Sequence, residues 1–430
     1  MSKELKDLLL NLHTRGRRYS YYPSLPDWNG DYDKVEIIKS LSLKKINLYI
    51  HIPFCASLCT FCGCNIKVTR SSDQFQSYIE KILEEWKLYK EEYPQIELAS
   101  IYLGGGTPTY LTLDNIKYLI DNILEGTKCD QTFFGTIETD PRLLQVEKLK
   151  YLSSVGFNAL SIGVQDTNTE TLANVNRHQS FDQVRALVNC ARENGFSEIN
   201  LDLIYGLPFQ TLKSFEKSLN DVLTLKPERI ANYPLAKVPW QMDLQNALGI
   251  YRPLGTEDMY DLYIHSDEIL KSNGHRLLGM GHYSNQEKHY NRNITGYTSA
   301  LNAPLIALGT SSISNTDQYL FQNDKILEKY HQYPNRIVTS HKKKKNEVIL
   351  ESIFQDINCN GTFSLLDLHN HHTVNSNEQK SETLIRHMNM LIEYKILEHK
   401  NDVYKITELG KHFNKTICQS IEKAHSSPQN

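Results

Sequence analysis

Four cysteines lie close together near the start of this 430-residue chain, between Tyr49 and Asn65. Three of them, Cys55, Cys59 and Cys62, are separated by three and by two residues, so one short loop carries three thiols. Such a loop can bind a zinc ion or an iron–sulfur cluster. A structural zinc site usually takes two separate pairs of ligands, and the sequence has no second C-x2-C pair. The spacing therefore favours an iron–sulfur cluster.

The number of thiols indicates what such a cluster would do. A [4Fe–4S] cluster is normally held by four thiolates, so three suggest that one iron is kept free to bind another molecule. Cys64 follows Cys62 after a single glycine, a short separation for reaching two different irons of one cube. We interpret Cys64 as a neighbour of the cluster. The alternative is structural cysteines in a core, but four within ten residues argue against it.

Composition limits the class of protein. The chain is 40% hydrophobic and 23% charged, which is ordinary for a globular protein, and its formal charge of -3 argues against a basic surface for nucleic acid. The first residues alternate in charge and lack the features of a signal peptide, and no run has the length of a membrane span. We expect a cytoplasmic protein with neither nucleic acid nor membrane as partner. Thiols stay reduced in the cytoplasm, so clustered cysteines are expected to bind metal rather than to form disulfides.

Short apolar runs alternate with amphipathic helical segments from Ile46 onward, which is typical of repeated strand–helix units. The periodicity predicts helices from about residue 73, after Thr112 and from about residue 180, the last with Cys190 in the core. We therefore expect an α/β fold with a partial (βα)6 barrel of the TIM type. The predicted strands cover residues 46–52, 98–103, 133–139, 159–164, 199–205 and 229–235.

Polar and glycine residues follow several of these strands at the point where each strand ends. Cys55 follows the first strand, the run 104–107 follows the second, Glu138 closes the third and Gln165 follows the fourth. Enzymes with barrels of this kind place their chemistry at the carboxyl ends of the strands. The sequence therefore predicts a site at that edge.

The chain is predicted to have three parts: an N-terminal arm at residues 1–43, a barrel with its extension at 44–315, and a C-terminal domain at 336–430. The basic run 341–345 is interpreted as a solvated linker. The pattern beyond it predicts a mainly helical, winged-helix-like domain with a short hairpin. A winged helix alone does not imply DNA binding. We interpret His369, His371 and His372 as an exposed polar loop rather than metal ligands.

The three-cysteine motif followed by Gly63, Cys64 and Asn65 resembles that of the radical S-adenosylmethionine (SAM) enzymes. The run 49–65 more narrowly resembles the oxygen-independent coproporphyrinogen III dehydrogenases, of the HemN type. The resemblance covers roughly residues 17–315 and, more weakly, the C-terminal domain. It implies a [4Fe–4S] cluster and two SAM molecules as cofactors, with Tyr49 and Cys64 as catalytic residues.

The resemblance also implies contacts with both SAM molecules. The SAM on the cluster is expected to touch Tyr49, Gly105, Glu138 and Ile313. A second SAM is expected to touch Phe61, Gly106, Thr107, Gln165, Arg177, Asp202 and Ala236. Taken singly, Arg177 could be a surface charge and Asp202 the cap of a strand. A carboxylate within an apolar strand nevertheless needs a partner.

The resemblance further implies the activity. A 5′-deoxyadenosyl radical would take hydrogen from a propionate of coproporphyrinogen III, and loss of CO2 and one electron would leave a vinyl group. Two rounds would give protoporphyrinogen IX in anaerobic haem biosynthesis. The implied partners are the porphyrinogen and an electron donor such as flavodoxin or ferredoxin, and we expect a monomer.

Two segments depart from the family pattern. The run 279–283 has Gly281 where the family is expected to have aspartate, and the run 232–235 also differs near the second SAM. These departures bear on the substrate. A related radical SAM methyltransferase and a haem chaperone on the same fold remain alternatives, and a DNA-binding regulator is a third.

Overall fold

The computed structural model of the protein describes residues 21–143, 145–236, 254–286, 303–368 and 378–426. The predicted histidine loop at residues 369–372 and residues 1–20 of the predicted N-terminal arm lie outside the described residues. Among the helices that are described, none is long and apolar enough to span a membrane.

The strands of the described residues are numbered in chain order. They are β1 (Lys45–Ile52), β2 (Phe54–Cys55), β3 (Lys67–Val68), β4 (Glu97–Gly105), β5 (Lys128–Thr139), β6 (Phe157–Gln165), β7 (Glu198–Tyr205), β8 (Arg229–Pro234), β9 (Arg276–Gly279), β10 (His282–Ser284), β11 (Leu305–Leu308), β12 (Ile313–Asn315), β13 (Tyr319–Asn323), β14 (Ile337–Lys342), β15 (Thr362–Ser364), β16 (Leu397–Lys400) and β17 (Val403–Ile406).

The α-helices are referred to by their residue ranges. They are Lys34–Ser40, Asp73–Glu92, Leu113–Leu124, Val146–Ser154, Thr169–Asn174, Phe181–Glu193, Leu212–Leu223, Thr256–Ser272, Leu327–Gln332, Lys345–Cys359, Glu378–Glu393 and Asn414–Ser426.

Twelve strands form one sheet in the order β14-β13-β12-β11-β1-β4-β5-β6-β7-β8-β10-β9. The seven strands from β11 to β8 are parallel, and antiparallel strands extend the sheet at both ends. The order has two ends, so within the described residues the sheet is an open barrel. The six predicted strands are confirmed. The seventh parallel strand, β11, was not predicted; it has only four residues and pairs beside β1.

The helices begin where the sequence predicted. The Thr112 side chain accepts a hydrogen bond from the Asn115 amide, and Ser180 forms a capping box with Gln183. Their apolar faces pack on the sheet, whose inner residues such as Leu48 and Leu160 are fully buried. Cys190 is buried on such a face, as predicted.

A buried polar network ties the N-terminal helix Lys34–Ser40 to the barrel. Lys34 forms an ion pair with Glu85, and both side chains are fully buried. The Glu85 carboxylate also accepts hydrogen bonds from the Tyr330 hydroxyl at 2.6 Å and the Gly309 amide at 3.0 Å. A buried ion pair persists only when further hydrogen bonds satisfy it. The network therefore fixes the turn between β11 and β12, directly before Ile313.

The C-terminal domain has its own core. Helices Lys345–Cys359, Glu378–Glu393 and Asn414–Ser426 accompany a three-stranded antiparallel sheet, β15-β17-β16. Buried residues such as Phe354, Leu391 and Ile417 form a second hydrophobic cluster. The domain has the helices and the hairpin that the sequence predicted.

The basic run 341–345 is not a linker, contrary to the prediction, although Lys342, Lys344 and Lys345 are exposed. His341 and Lys342 belong to β14, which pairs with β13 in the main sheet. The side chain of Lys343 is buried, and its ammonium lies 2.5 Å from the Glu351 carboxylate and 2.6 Å from Asn315 Oδ1. Residues 337–342 thus belong to the sheet, although the sequence assigned them to the C-terminal domain.

Candidate active site

The cysteine loop is held at the carboxyl end of β1 by backbone pairing. Strand β2 pairs with β3 in a small parallel sheet, so residues 56–66 form a closed loop between them. The glycine-rich turn after β4 lies against this loop, because the Gly106 amide donates to Ile52 O at 2.8 Å and the Thr107 amide donates to Phe54 O at 2.9 Å. The two segments that the sequence placed at one edge are therefore in direct contact.

The three thiols of the motif interact with one another. Cys55 and Cys59 are buried and Cys62 is half-buried. Burial raises the pKa of Cys55 to about 12, and the charges of Cys62 and Cys59 add to the rise, whereas a hydrogen bond with Thr107 opposes it. A hydrogen bond with Cys64 lowers the pKa of Cys62 to about 7, against the effect of burial. Cys64 therefore contacts Cys62 of the motif in the folded loop.

The thiols fit a cluster better than a single ion. Among the described residues, no three His, Cys, Asp or Glu side chains converge where one metal ion could be held. Three interacting thiols on one loop can each bind a different iron of a [4Fe–4S] cluster. Arg177 and Arg142 both approach Cys59, so two guanidinium groups lie beside the loop.

Arg177 is a buried anchor of the cysteine loop rather than a surface charge. Its Nη1 atom lies 3.6 Å from Cys59 Sγ and 3.3 Å from the Asp140 carboxylate. Its Nε atom donates to Gln179 Oε1 at 2.8 Å. Arg142 also pairs with Asp140 at 2.6 Å. Burial would raise the pKa of Asp140, but Arg142 and Arg177 together hold it below its usual value.

Tyr49 is oriented by a buried histidine. The Tyr49 hydroxyl lies 3.0 Å from His51 Nδ1, and His51 Nε2 lies 2.9 Å from the backbone oxygen of Asn65. A carbonyl oxygen can only accept, so Nε2 carries the proton and Nδ1 accepts from the Tyr49 hydroxyl. Burial lowers the pKa of His51 to about 4, which keeps the ring neutral at pH 7. These two hydrogen bonds thus link Tyr49, through His51, to the cysteine loop.

Glu138 lies beside Tyr49 at the glycine-rich turn. Its carboxylate accepts hydrogen bonds from the Tyr102 hydroxyl at 2.9 Å and the Gly105 amide at 3.0 Å. Burial, and then the charge of Asp202, raise the pKa of Glu138 to about 7. A Cβ on Gly104 would lie 3.0 Å from both Glu138 Oε1 and Tyr49 Cε2. Glu138 and Tyr49 can therefore pack this closely against residue 104 because it is a glycine.

Asp202 is fixed inside the barrel and does not cap a strand end. Its carboxylate accepts hydrogen bonds from Asn200 Nδ2 at 2.8 Å and from the Ser161 hydroxyl at 3.1 Å. Burial raises its pKa to about 6, although both hydrogen bonds oppose the rise. Gln165 has a φ of 69°, and its side chain and that of Arg177 both lie against Gly163.

The structure places the remaining predicted contacts around the same edge. Phe61 is half-buried in the cysteine loop, and Thr107 is buried with its hydroxyl 3.4 Å from Cys55 Sγ. Ile313 begins β12, after the turn fixed by Glu85. Ala236 follows β8 and lines the cavity described next.

A cavity of about 800 Å³ fills the barrel beside this site. Tyr102 and Glu138 line it and also contact the glycine-rich turn, so the cavity begins at the predicted SAM site. Sequence reasoning missed most of its lining, although the departures around Gly281 pointed to part of it. The lining residues that were not predicted include Asn200, Arg229, Tyr263, Lys411, Asn414, Lys415 and Thr416.

The C-terminal domain closes one side of this cavity. The Tyr263 hydroxyl of the barrel lies 2.5 Å from His412 Nδ1, and His412 Nε2 lies 3.5 Å from Asp267. These contacts fix the segment 410–416 against the cavity, but nothing in its sequence marks it as part of a site.

Residues 49–222 match the sequence profile of the Radical SAM superfamily. This match and the three-cysteine loop at the end of the first strand of an open α/β barrel define a radical SAM protein. The oxygen-independent coproporphyrinogen III oxidase of Escherichia coli K12 is 33% identical over 337 residues, which are 76% of this chain and 74% of the relative. The enzyme of the same name from Salmonella typhimurium is 32% identical over the same shares.

A solved structure agrees with this similarity. The coproporphyrinogen III oxidase HemN from Escherichia coli, described as a radical SAM enzyme, has a TM-score of 0.86 and 28% identity, covering 94% of this chain and 96% of that one. The chain therefore belongs to the family of oxygen-independent coproporphyrinogen III oxidases. The resemblance predicted from the sequence is confirmed.

Proposed function

We propose that this protein removes CO2 oxidatively from two propionate side chains of coproporphyrinogen III and so forms protoporphyrinogen IX. The supporting observation is that the glycine-rich turn contacts both the cysteine loop, through Gly106 and Thr107, and the cavity wall, through Glu138. The relatives named above are coproporphyrinogen III oxidases, and the alignments with them cover 76% of this chain. A cavity of about 800 Å³ is in the range used for ligands of this size.

Cys55, Cys59 and Cys62 would hold a [4Fe–4S] cluster, with one iron left open for SAM. When bound, the reduced cluster and SAM supply the 5′-deoxyadenosyl radical that takes a hydrogen atom from the substrate. Arg177 and Arg142 contact Cys59 and so hold the loop in place. Cys55 and Cys59 are buried, so water has little access to these two thiols.

Two groups of residues would bind two SAM molecules. Tyr49, Gly105, Glu138 and Ile313 are proposed to contact the SAM on the cluster. The proposed contacts of the second SAM are Phe61, Gly106, Thr107, Gln165, Arg177, Asp202 and Ala236. Glu138 is suited to a cationic ligand because a positive charge would offset its burial and its repulsion by Asp202.

Tyr49 and Cys64 are the proposed catalytic residues. The hydrogen bond from the Tyr49 hydroxyl to His51 fixes the orientation of the Tyr49 ring beside the cysteine loop. Cys64 is exposed beside Cys62, where a substrate or cofactor can reach it.

The setting of the enzyme is also proposed. We propose a cytoplasmic monomer that receives single electrons from a donor such as flavodoxin or ferredoxin and has neither nucleic acid nor membrane as partner. The cysteine loop is suited to such a donor because Val68, next to the loop, and Cys64 are exposed.

The test is a mass spectrum of the products after anaerobic incubation of the iron-reconstituted protein with coproporphyrinogen III, SAM and a strong reductant. Two losses of CO2 with formation of 5′-deoxyadenosine are expected. A methylated product would support the methyltransferase alternative instead. Tight haem binding with no turnover would support the chaperone. The relatives and the solved structure named above give neither alternative support.

A further inference from the structure

A tight turn between β9 and β10 places Met280 in the wall of the cavity. His282 pairs with Gly279, so the turn has only two residues, Met280 and Gly281. Their φ angles are 51° and 83°, in the left-handed region that a two-residue hairpin turn of this kind has at both positions. Glycine and asparagine adopt this region readily, whereas methionine is strained there. The turn therefore carries a side chain that its backbone does not favour.

A second hairpin of the chain has the residues that such a turn normally contains. Strands β16 and β17 are joined by Asn401 and Asp402, whose φ angles are 52° and 59°. The short polar side chains of asparagine and aspartate tolerate this backbone conformation. Backbone strain persists only where the surrounding structure holds it, and it is concentrated at functional sites. The two hairpins thus share a conformation, but only the one at the cavity has a long apolar side chain.

Close packing on both sides holds the turn of Met280 in place. A Cβ on Gly279 would lie 2.6 Å from the backbone oxygen of Asn358 in the C-terminal domain. A Cβ on Gly281 would lie 2.5 Å from the backbone oxygen of Asn232 on β8. The Asn232 amide also donates a hydrogen bond to Gly281 O at 2.8 Å. The turn is therefore wedged between the barrel and the C-terminal domain, which fixes the position of Met280.

Core packing does not account for Met280. Its side chain is half-buried, and within the described residues it belongs neither to the two hydrophobic clusters nor to the partly buried side chains that pack on them. Met259, another methionine of the cavity wall, does pack on the larger cluster. Met259 is thus explained by the fold, whereas Met280 lines the cavity without such a role.

A thioether suits a ligand that offers an apolar or aromatic face. Methionine is unbranched and polarisable, adapts to irregular surfaces and packs favourably against aromatic rings. It has no hydrogen-bond donor and is only a weak acceptor, so it adds little to the binding of charged groups. The substrate assigned under the proposed function, on which this inference rests, is a macrocycle of four pyrrole rings. Each ring offers a face of the kind that a thioether can contact.

We propose that Met280 contacts a pyrrole ring of the substrate and so orients the macrocycle in the cavity. The strained turn holds the thioether at one place in the wall, and the flanking glycines allow the turn to fit there. Met280 is in this account a residue for substrate binding and specificity, with no part in bond breaking.

The experiment measures ligand binding and stability in the same variants of the reconstituted protein. Met280→Asn removes the thioether but suits the turn, whereas Met280→Leu keeps an apolar side chain of similar size. Asn401→Met is the matched control, because it places methionine in the second hairpin, away from the cavity lining. Fluorescence titration gives the affinity for coproporphyrin III, which has the four rings of the substrate. The affinity for SAM and the melting temperature are measured in parallel.

Met280→Asn is expected to weaken coproporphyrin III binding about fivefold, through loss of one apolar contact, and to leave SAM binding unchanged. Its melting temperature should rise by about 2 °C, because the strain of the turn is relieved. Met280→Leu should bind within about twofold of the wild type, since its apolar volume is similar. Asn401→Met should lower the melting temperature and bind both ligands normally. A more stable protein that binds less tightly is a result that a merely structural role of Met280 would not give.

Unchanged porphyrin binding by Met280→Asn would overturn the proposal, as would weakened binding of SAM in its place. A lower melting temperature of Met280→Asn would show that Met280 is a packing residue, and an unchanged one for Asn401→Met would show that methionine is not strained in such a turn; either result would also overturn it. Decarboxylation by the wild-type protein is measured alongside. If it occurs, these results reject only the contact of Met280. If the wild-type protein neither turns over nor binds the porphyrin, the proposed function fails as well.

Discussion

The guanidinium of Arg177 lies 3.6 Å from the sulfur of Cys59. The same guanidinium pairs with Asp140, so a buried ion pair fastens the cysteine loop to the ends of the neighbouring strands. The sequence suggested a SAM contact for Arg177, and the structure gives it a second task beside the cluster. Arg177 therefore anchors the cysteine loop to the segment that follows β5.

Replacement of Arg177 by glutamine should destabilise the protein by about 3 kcal/mol, because it breaks a buried ion pair and leaves Asp140 with Arg142 alone. Urea denaturation of the metal-free protein would measure the loss. Arg185→Gln removes an exposed pair with Asp182 and should cost less than about 1 kcal/mol. Equal effects of the two substitutions would contradict the anchoring role.

Replacement of Cys62 by serine should abolish the visible absorption of the cluster and leave bound iron well below about four atoms per chain. Iron analysis after anaerobic reconstitution would measure this. Cys129→Ser is the matched control, since that exposed thiol lies on β5, away from the motif. A Cys62→Ser variant that kept its cluster and its turnover would refute the ligand assignment.

Replacement of Gly106 by alanine should displace the cysteine loop. The new Cβ would lie 2.8 Å from Phe54 O and from Pro53 C, and backbone atoms cannot move aside as a flexible side chain can. We expect a cost of about 1–3 kcal/mol and poor retention of iron. Gly126→Ala meets no atom within 4 Å and pays only for a φ of 59°, so its iron content should be normal. Equal iron contents in the two variants would count against close contact between turn and loop.

The pKa of Glu138, about 7, predicts a pH dependence of stability in the SAM-free protein. The folded protein holds this proton more tightly than the unfolded chain, whose value is near 4.5. The stabilisation from Glu138, about 3 kcal/mol, is therefore complete below pH 4.5 and lost as the pH rises to about 7. His51 acts oppositely, because its pKa is lowered to about 4.

The difference between wild type and Glu138→Gln isolates the first effect, since His51 is common to both proteins. Thermal or urea denaturation between pH 4.5 and 7.5 should show wild-type stability falling relative to the variant. Parallel pH profiles would show that Glu138 is not protonated in the folded protein near neutral pH.

The sequence predicted the barrel and the clustered residues because both follow local rules. Each of the six strands is an apolar run, and the cysteines and the glycine-rich turn directly follow two of them. Strand β11 escaped prediction because four apolar residues carry no periodicity of their own. Lys343 was misjudged because its partner Glu351 lies on a helix and only the folded chain brings the two together.

The cavity was the least predictable part of the site. Arg229 and Asn200 lie in the amino-terminal halves of their strands. Barrel enzymes place their chemistry at the carboxyl ends of the strands, so that rule did not predict these two residues. Lys415 comes from another domain, and its position depends on packing such as that of Tyr263 on His412. These residues are brought together by long-range packing, which a motif or a hydrophobic pattern does not encode.

The most direct test of the central claim uses coproporphyrinogen III deuterated on its propionate methylene groups. If the protein directs the SAM-derived radical to a propionate, mass spectrometry should find deuterium in the 5′-deoxyadenosine that accompanies loss of CO2. Unlabelled 5′-deoxyadenosine with an unchanged porphyrinogen would contradict the account.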